Sequence, residues 1–103
     1  MEKVIKDGKV AVLYSPDYGS GWYTWNKEYP DMIFDPTMVH YVLAEKVNEA
    51  KAYATLKWPE AYVGGNVDDL RVEWVYEGVE FRITEYDGNE DIEFKASAGW
   101  IVA

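Results

Sequence analysis

Of the side chains that carry acid–base, nucleophilic or metal chemistry, this 103-residue sequence holds one histidine, His40, and no cysteine. Thiolate nucleophiles, disulfides and sulfur-based zinc sites are excluded, and no histidine pair exists to ligate a metal. His40 stands beside Tyr41 at the edge of an apolar stripe, where a partly buried, hydrogen-bonded imidazole is the usual outcome and a lone base the alternative. Asp68 with Asp69, and Glu85 with Asp87, could divide acid and base duties if their surroundings split their pKa values; in an acidic chain such pairs are more often a solvated face. Ser15, Ser20 and Ser97 fit no nucleophile elbow. Asp87, Asn89 and Asp91 share the opening spacing of a calcium loop, but Ile92 stands where that loop needs glycine, so the segment reads as a hairpin turn. The chain is therefore expected to be no enzyme, with no metal and no cofactor.

Binding chemistry is better represented. Tyr14 to Phe34 holds seven aromatics in twenty-one residues, with Gly19 and Gly21 among them. Tyr18, Trp22 and Trp25, with Asn26 beside them, could stack on a planar ligand such as a nucleobase, while the glycine amides formed a concave nest for its phosphate. The same rings could instead fill a small core and pin the loop across a sheet. Gly64 and Gly65, followed by Asn66, could close over that ligand or simply connect helix to sheet. Both alternatives stand at this point.

Charge narrows the partners. Ten basic against nineteen acidic side chains leave a formal charge of −9, which repels phosphate backbones and anionic lipid surfaces and argues against nucleic-acid duplexes and membranes. Residues 68 to 93 carry ten acids against Arg71 and Arg82. A second candidate surface is thus an acidic face of Asp68, Asp69, Glu85, Asp87 and Glu90, suited to a basic groove on another protein.

The elements that must position these residues form an α+β fold in a single domain, residues 1–103. Hydrophobic residues make up 49% of a chain with only 8 Gly and 4 Pro, a globular composition large enough to close one core. Asp7-Gly8 between Val4-Ile5 and Lys9–Tyr14 predicts an N-terminal β-hairpin. The following loop has room for a short strand at Trp22–Trp25. Asp35-Pro36 is a helix start, and apolar residues at helical spacing run from Met38 to Ala54, ended by Pro59. The polar run from Glu45 predicts a break into two helices within about 35–58, with Asn48 as the second cap. Alternation in Leu70–Tyr76, Val79–Thr84 and Asp91–Phe94, with turns at Glu77-Gly78 and Asp87-Gly88-Asn89, predicts an antiparallel meander in one sheet packed on the helices; Trp100–Val102 reads as a last strand. The N-terminus shows neither a signal-peptide pattern nor a membrane span, so a cytoplasmic location is expected.

The segments Gly8–Pro16, Gly21–Asn26, Phe34–Pro36, Gly64-Gly65, Asp68–Leu70, Val72–Val75 and Phe81–Gly88 together resemble small proteins encoded by tailed bacteriophages and prophages. The resemblance spans most of the chain and carries no activity or site assignment. It implies a phage accessory or counter-defence protein that disables a host component, acting in the host cytoplasm. The expected partner is a small-molecule ligand, such as a nucleotide second messenger, or a host protein, bound by a homo-oligomer.

Overall fold

A computed structural model of the chain describes residues 1–19, 21–63 and 67–94. The fold is α+β, as its sequence pattern predicts. Strand β1 (Ile5–Lys6) turns into β2 (Lys9–Tyr14) through Asp7 and Gly8, whose φ angles of 53° and 76° are the pair of positive values a type I′ turn requires. Ala11, Val12 and Leu13 are completely buried, so β2 is covered on both faces. β3 (Arg71–Tyr76) lies antiparallel along its whole length, from Lys9 opposite Tyr76 to Tyr14 opposite Arg71. The sheet order is β1-β2-β3.

The two faces of this sheet bury different layers. On one, Ala11, Leu13 and Leu70, with Val72 and Trp74, pack against α1 (Pro36–Leu43), α2 (Val47–Lys57) and the ring of Trp22. On the other, Val12 and Val75 meet Ile33, Phe34 and a second hairpin made of β4 (Phe81–Tyr86) and β5 (Asn89–Phe94). Asp87 and Gly88, with φ of 51° and 83°, repeat the turn chemistry of the first hairpin. One row of this hairpin, Phe81, Ile83, Ile92 and Phe94, faces the sheet, and Arg82 on the opposite row pairs with Glu93 at 2.7 Å in the open.

The C-terminal strands therefore divide between two sheets. β3 joins the N-terminal hairpin, and β4 and β5 pair only with each other among the described residues. The connector explains the division. The Glu77 N–H donates to the Gly8 carbonyl at 2.9 Å, the Val79 N–H to the Tyr76 carbonyl at 3.1 Å, and Gly78 takes φ 87°, so the chain is tied to the first turn and leaves the plane of β3. A strand apolar on both faces needs cover on both, and one meander lying under the helices would have left Val12 in water.

The helical segment breaks where its polar run predicts, by a different device. Glu45 takes φ 58°, its N–H donates to the Val42 carbonyl at 3.1 Å, and the Lys46 N–H reaches the Tyr41 carbonyl at 2.9 Å. That is a Schellman ending with glutamate in the position glycine usually holds. Lys46 precedes α2 without a side-chain cap, and Asn48 lies inside the helix, so it is not the second cap. Asp35 does cap α1: its Oδ2 accepts the Met38 N–H at 3.0 Å, while Oδ1 accepts the Tyr53 hydroxyl at 3.2 Å and so ties α1 to α2. Trp22 to Trp25 form turns, since Asn26 N–H closes on the Tyr23 carbonyl at 2.8 Å, and no strand is built there. Trp100–Val102 lies outside the described residues, and among the described residues no helix is long and apolar enough to cross a membrane.

Two substitutions test this account by urea unfolding. Glu45→Gly is expected to raise stability by about 0.5–1 kcal/mol, because glycine takes the left-handed conformation without the side-chain clash. Asp35→Ala is expected to lower it by about 1–2 kcal/mol through the lost cap.

Candidate functional site

The aromatic loop is organised around an acid that comes from far along the chain. Glu90 sits on the sheet-facing row of β5, where the second hairpin crosses the end of β2, and is 1% exposed. Its N–H donates to the Ser15 carbonyl at 2.6 Å. Its Oε1 accepts the Ser15 N–H at 2.8 Å, and its Oε2 accepts the Thr24 N–H at 2.8 Å and the Thr24 hydroxyl at 2.6 Å. Charge-assisted bonds of this kind are about twice as strong as neutral ones. The loop does cradle an anion, and the anion is the protein's own carboxylate. The Gly19 amide is likewise engaged, donating to the Asp87 carbonyl at 2.9 Å. Gly21 is needed for close packing: a Cβ there would lie 2.6 Å from Trp25 Cδ1 and closer still to Thr24 Oγ1.

This scaffold sorts the rings into two groups. Trp22 is core, with its ring edge-on to Trp58 at 5.7 Å and its indole N–H donating to the Met32 carbonyl at 2.6 Å. Asn26 is also buried, and its side chain is structural: Nδ2 donates to the carbonyls of Trp22 at 2.7 Å and Tyr62 at 3.0 Å, while Oδ1 accepts the Tyr62 N–H at 2.7 Å. Both side chains are taken up within the fold. Tyr18 and Trp25 do face solvent, at 68% and 43% exposure. The Asn26 clamp brings a further ring to Trp25: Tyr62, 56% exposed, lies 5.4 Å from it at an interplanar angle of 45°. Tyr62 escapes the sequence argument because its place beside Trp25 depends on a contact thirty-six residues apart. Its one local signal is an aromatic just ahead of Gly64-Gly65, and those two glycines lie outside the described residues.

Carboxylates flank the rings. Glu85 Oε2 accepts the Trp25 indole N–H at 3.4 Å and the Gly88 N–H at 2.6 Å, and Asp87 is exposed at the adjoining turn. Asp68 and Asp69 form a separate group: Asp68 pairs with Lys51 at 2.8 Å, and Asp69 lies beside Asp17. Burial pushes the Asp69 carboxyl up, and the neighbouring Asp17, to which it hydrogen-bonds, pushes it further; Asp68 adds to the rise and Arg71 opposes it. Of the five acids expected on one face, Glu85 and Asp87 thus lie beside the rings and the turn, Asp68 and Asp69 lie beside Lys51 and Asp17, and Glu90 points into the protein, where its carboxylate organises the loop. Burial, with Glu73 and Asp91, likewise raises the Tyr14 hydroxyl, which Arg71 partly offsets. His40 is exposed in the last turn of α1, 5.8 Å from the Tyr41 ring, and is not the partly buried imidazole expected. Among the described residues no cluster of three His, Cys, Asp or Glu could hold a metal.

Glu90→Gln is expected to destabilise by about 2–3 kcal/mol, because its amide end turns donors toward the Ser15 and Thr24 donors; urea midpoints at unchanged m-value measure this. Asp69 gives a pH test. A carboxyl whose pKa is raised on folding holds its proton more tightly in the native state, so stability falls as pH rises through the window above the ordinary value of 3.8. Asp69→Asn should therefore stabilise the protein at pH 7 and leave it unchanged near pH 3, measured by melting at both pH values. No family model matches the chain, and neither a curated protein nor a solved structure matches it significantly.

Proposed function

We propose that the protein is a non-enzymatic binding module, a phage accessory or counter-defence protein that captures and sequesters a host protein through Trp25, Tyr62 and Tyr18. The observation that carries this reading is the Trp25–Tyr62 pair: two half-exposed rings held by the Asn26 clamp on one side and by Glu85 on the other. Large rings fixed in place cost little conformational entropy on binding and dominate the energy of protein interfaces. With Glu85 and Asp87 beside them, they suit arginine and lysine side chains, which can lie over the rings while pairing with the acids. The partner is accordingly a basic surface, such as the nucleic-acid-binding groove of a host or defence protein.

A phosphate-bearing small ligand is less well served. The amides of Ser15 and Thr24 are committed to Glu90 and that of Gly19 to Asp87, so the expected nest is already filled. The resemblance to phage proteins supports the accessory role. The acids and amides gathered in the loop are engaged in holding it, which suits capture better than turnover.

The test is capture of a partner from host lysate, followed by measured affinities. Trp25→Ala should weaken binding by about thirtyfold, equivalent to about 2 kcal/mol at an interface hot spot, with the melting temperature nearly unchanged. Affinity should fall steeply between 50 and 300 mM salt, on the order of the Debye screening of exposed charges. A nucleotide that stabilises the free protein by about 2.7 kcal/mol at a hundredfold over its dissociation constant, and does so equally in the Trp25→Ala protein, would replace this reading with small-ligand sequestration at another site.

A further inference from the structure

The outer edge of β3 has no strand partner among the described residues. Two main-chain bonds define which of its amides face outward. The Glu77 N–H points across to the Gly8 carbonyl, and the Ala11 N–H, opposite Trp74, points away from β3 to the Val4 carbonyl. Antiparallel residues alternate between pairs that bond each other and pairs that do not. Glu73 and Val75 therefore bond inward to β2, and Val72, Trp74 and Tyr76 present their amides to the outside. The edge is six residues long, Arg71-Val72-Glu73-Trp74-Val75-Tyr76, with no proline or lysine to discourage pairing.

We infer that this edge pairs with the same edge of a second copy of the chain, antiparallel about a two-fold axis at Trp74, to make one continuous six-stranded sheet. In that register each Trp74 N–H donates to the other copy's Trp74 carbonyl, and each Tyr76 N–H to the other copy's Val72 carbonyl. The side chains then match twice over. Arg71 stands opposite the second copy's Glu77, so opposite charges meet at both ends of the seam. Tyr76 stands opposite the second copy's Val72 on the same face of the sheet. Tyr76 is 64% exposed in the single chain, and Val72 helps to line a groove of about 480 Å³ between the end of α1, the start of α2 and β3, whose wall includes Leu43 and Val47. Both of those residues are exposed in the single chain. An exposed ring and an open groove, whose wall holds Leu43, Val47 and Val72 together with the charged Glu45, Asp68 and Arg71, become reciprocal contacts through the symmetry operation alone, which is what a self-complementary two-fold interface requires.

Sedimentation velocity and native mass spectrometry of the full chain should show a dimer at about 10–100 μM, a range set by the modest size of a single seam. Arg71→Glu or Glu77→Arg alone, each placing like charges opposite, should raise the dimer dissociation constant about tenfold or more, and the double variant Arg71→Glu/Glu77→Arg should return it to within about threefold of the native value. Tyr76→Ser should weaken the dimer without lowering the melting temperature of the monomer, and the Trp74 and Tyr76 amides should exchange more slowly at high protein concentration than at low. A monomer throughout that range, an oligomer indifferent to all of these substitutions, or a charge swap that fails to restore association would each overturn the pairing. Circular dichroism on every variant separates loss of the seam from loss of the fold.

Discussion

The buried carboxylate of Glu90 joins three parts of the chain that share no strand ladder: the end of β2 at Ser15, the aromatic loop at Thr24, and the second hairpin at β5. A carboxylate can be kept from water only if its oxygens are satisfied by donors. Here each oxygen finds a main-chain N–H, and Oε2 finds a hydroxyl as well. With this tie in place the loop can run over the end of the sheet, dropping Trp22 into the core while leaving Trp25 outside. Trp22 and Trp25, three residues apart in sequence, thus part to opposite sides of the residue that Glu90 holds, and the Asn26 clamp then sets Tyr62 beside Trp25.

The second constraint is the burial of β2 on both faces. Val12 looks toward the β4–β5 hairpin and Leu13 toward the helices, so neither layer alone can close the core. The charge distribution follows from this arrangement. The second hairpin has Phe81, Ile83, Ile92, Phe94 and Glu90 on the row against the sheet, with Glu85 exposed at the end of that row, and its other row and turn hold Asp91, Glu93 and Asp87 away from the sheet. The acids near the rings, Glu85 and Asp87, are there because the hairpin tip reaches Gly19, as the Gly19 to Asp87 bond records. Asp68 and Asp69 belong to a different neighbourhood, beside Lys51 and Asp17.

Glycine and glutamate at the turns illustrate how far local rules extend. Asp7-Gly8 and Asp87-Gly88 adopt the left-handed pairs that their chemistry favours, and Asp35-Pro36 starts a helix with the carboxylate on a free amide. Glu45 takes a left-handed conformation against its own preference, because the packing of α1 on α2 requires the chain to turn there.

Local chemistry by itself determined the α+β class, both Asp-Gly hairpins, the capped helix, the break before α2 and the excess of acid in the C-terminal half. Each depends on residues within a few positions of one another, whose backbone preferences and spacing act before any tertiary contact forms. Only the tertiary structure decided that β3 would leave its neighbours for β2, that Trp22 and Asn26 would be core while Trp25 and Tyr62 met at the surface, and that Glu90 would turn inward. A tryptophan on a loop, or a glutamate in an alternating strand, has the same local preferences whether it packs or faces water. Its outcome is set by partners thirty-six to seventy-five residues away, and those contacts exist only once the layers have closed.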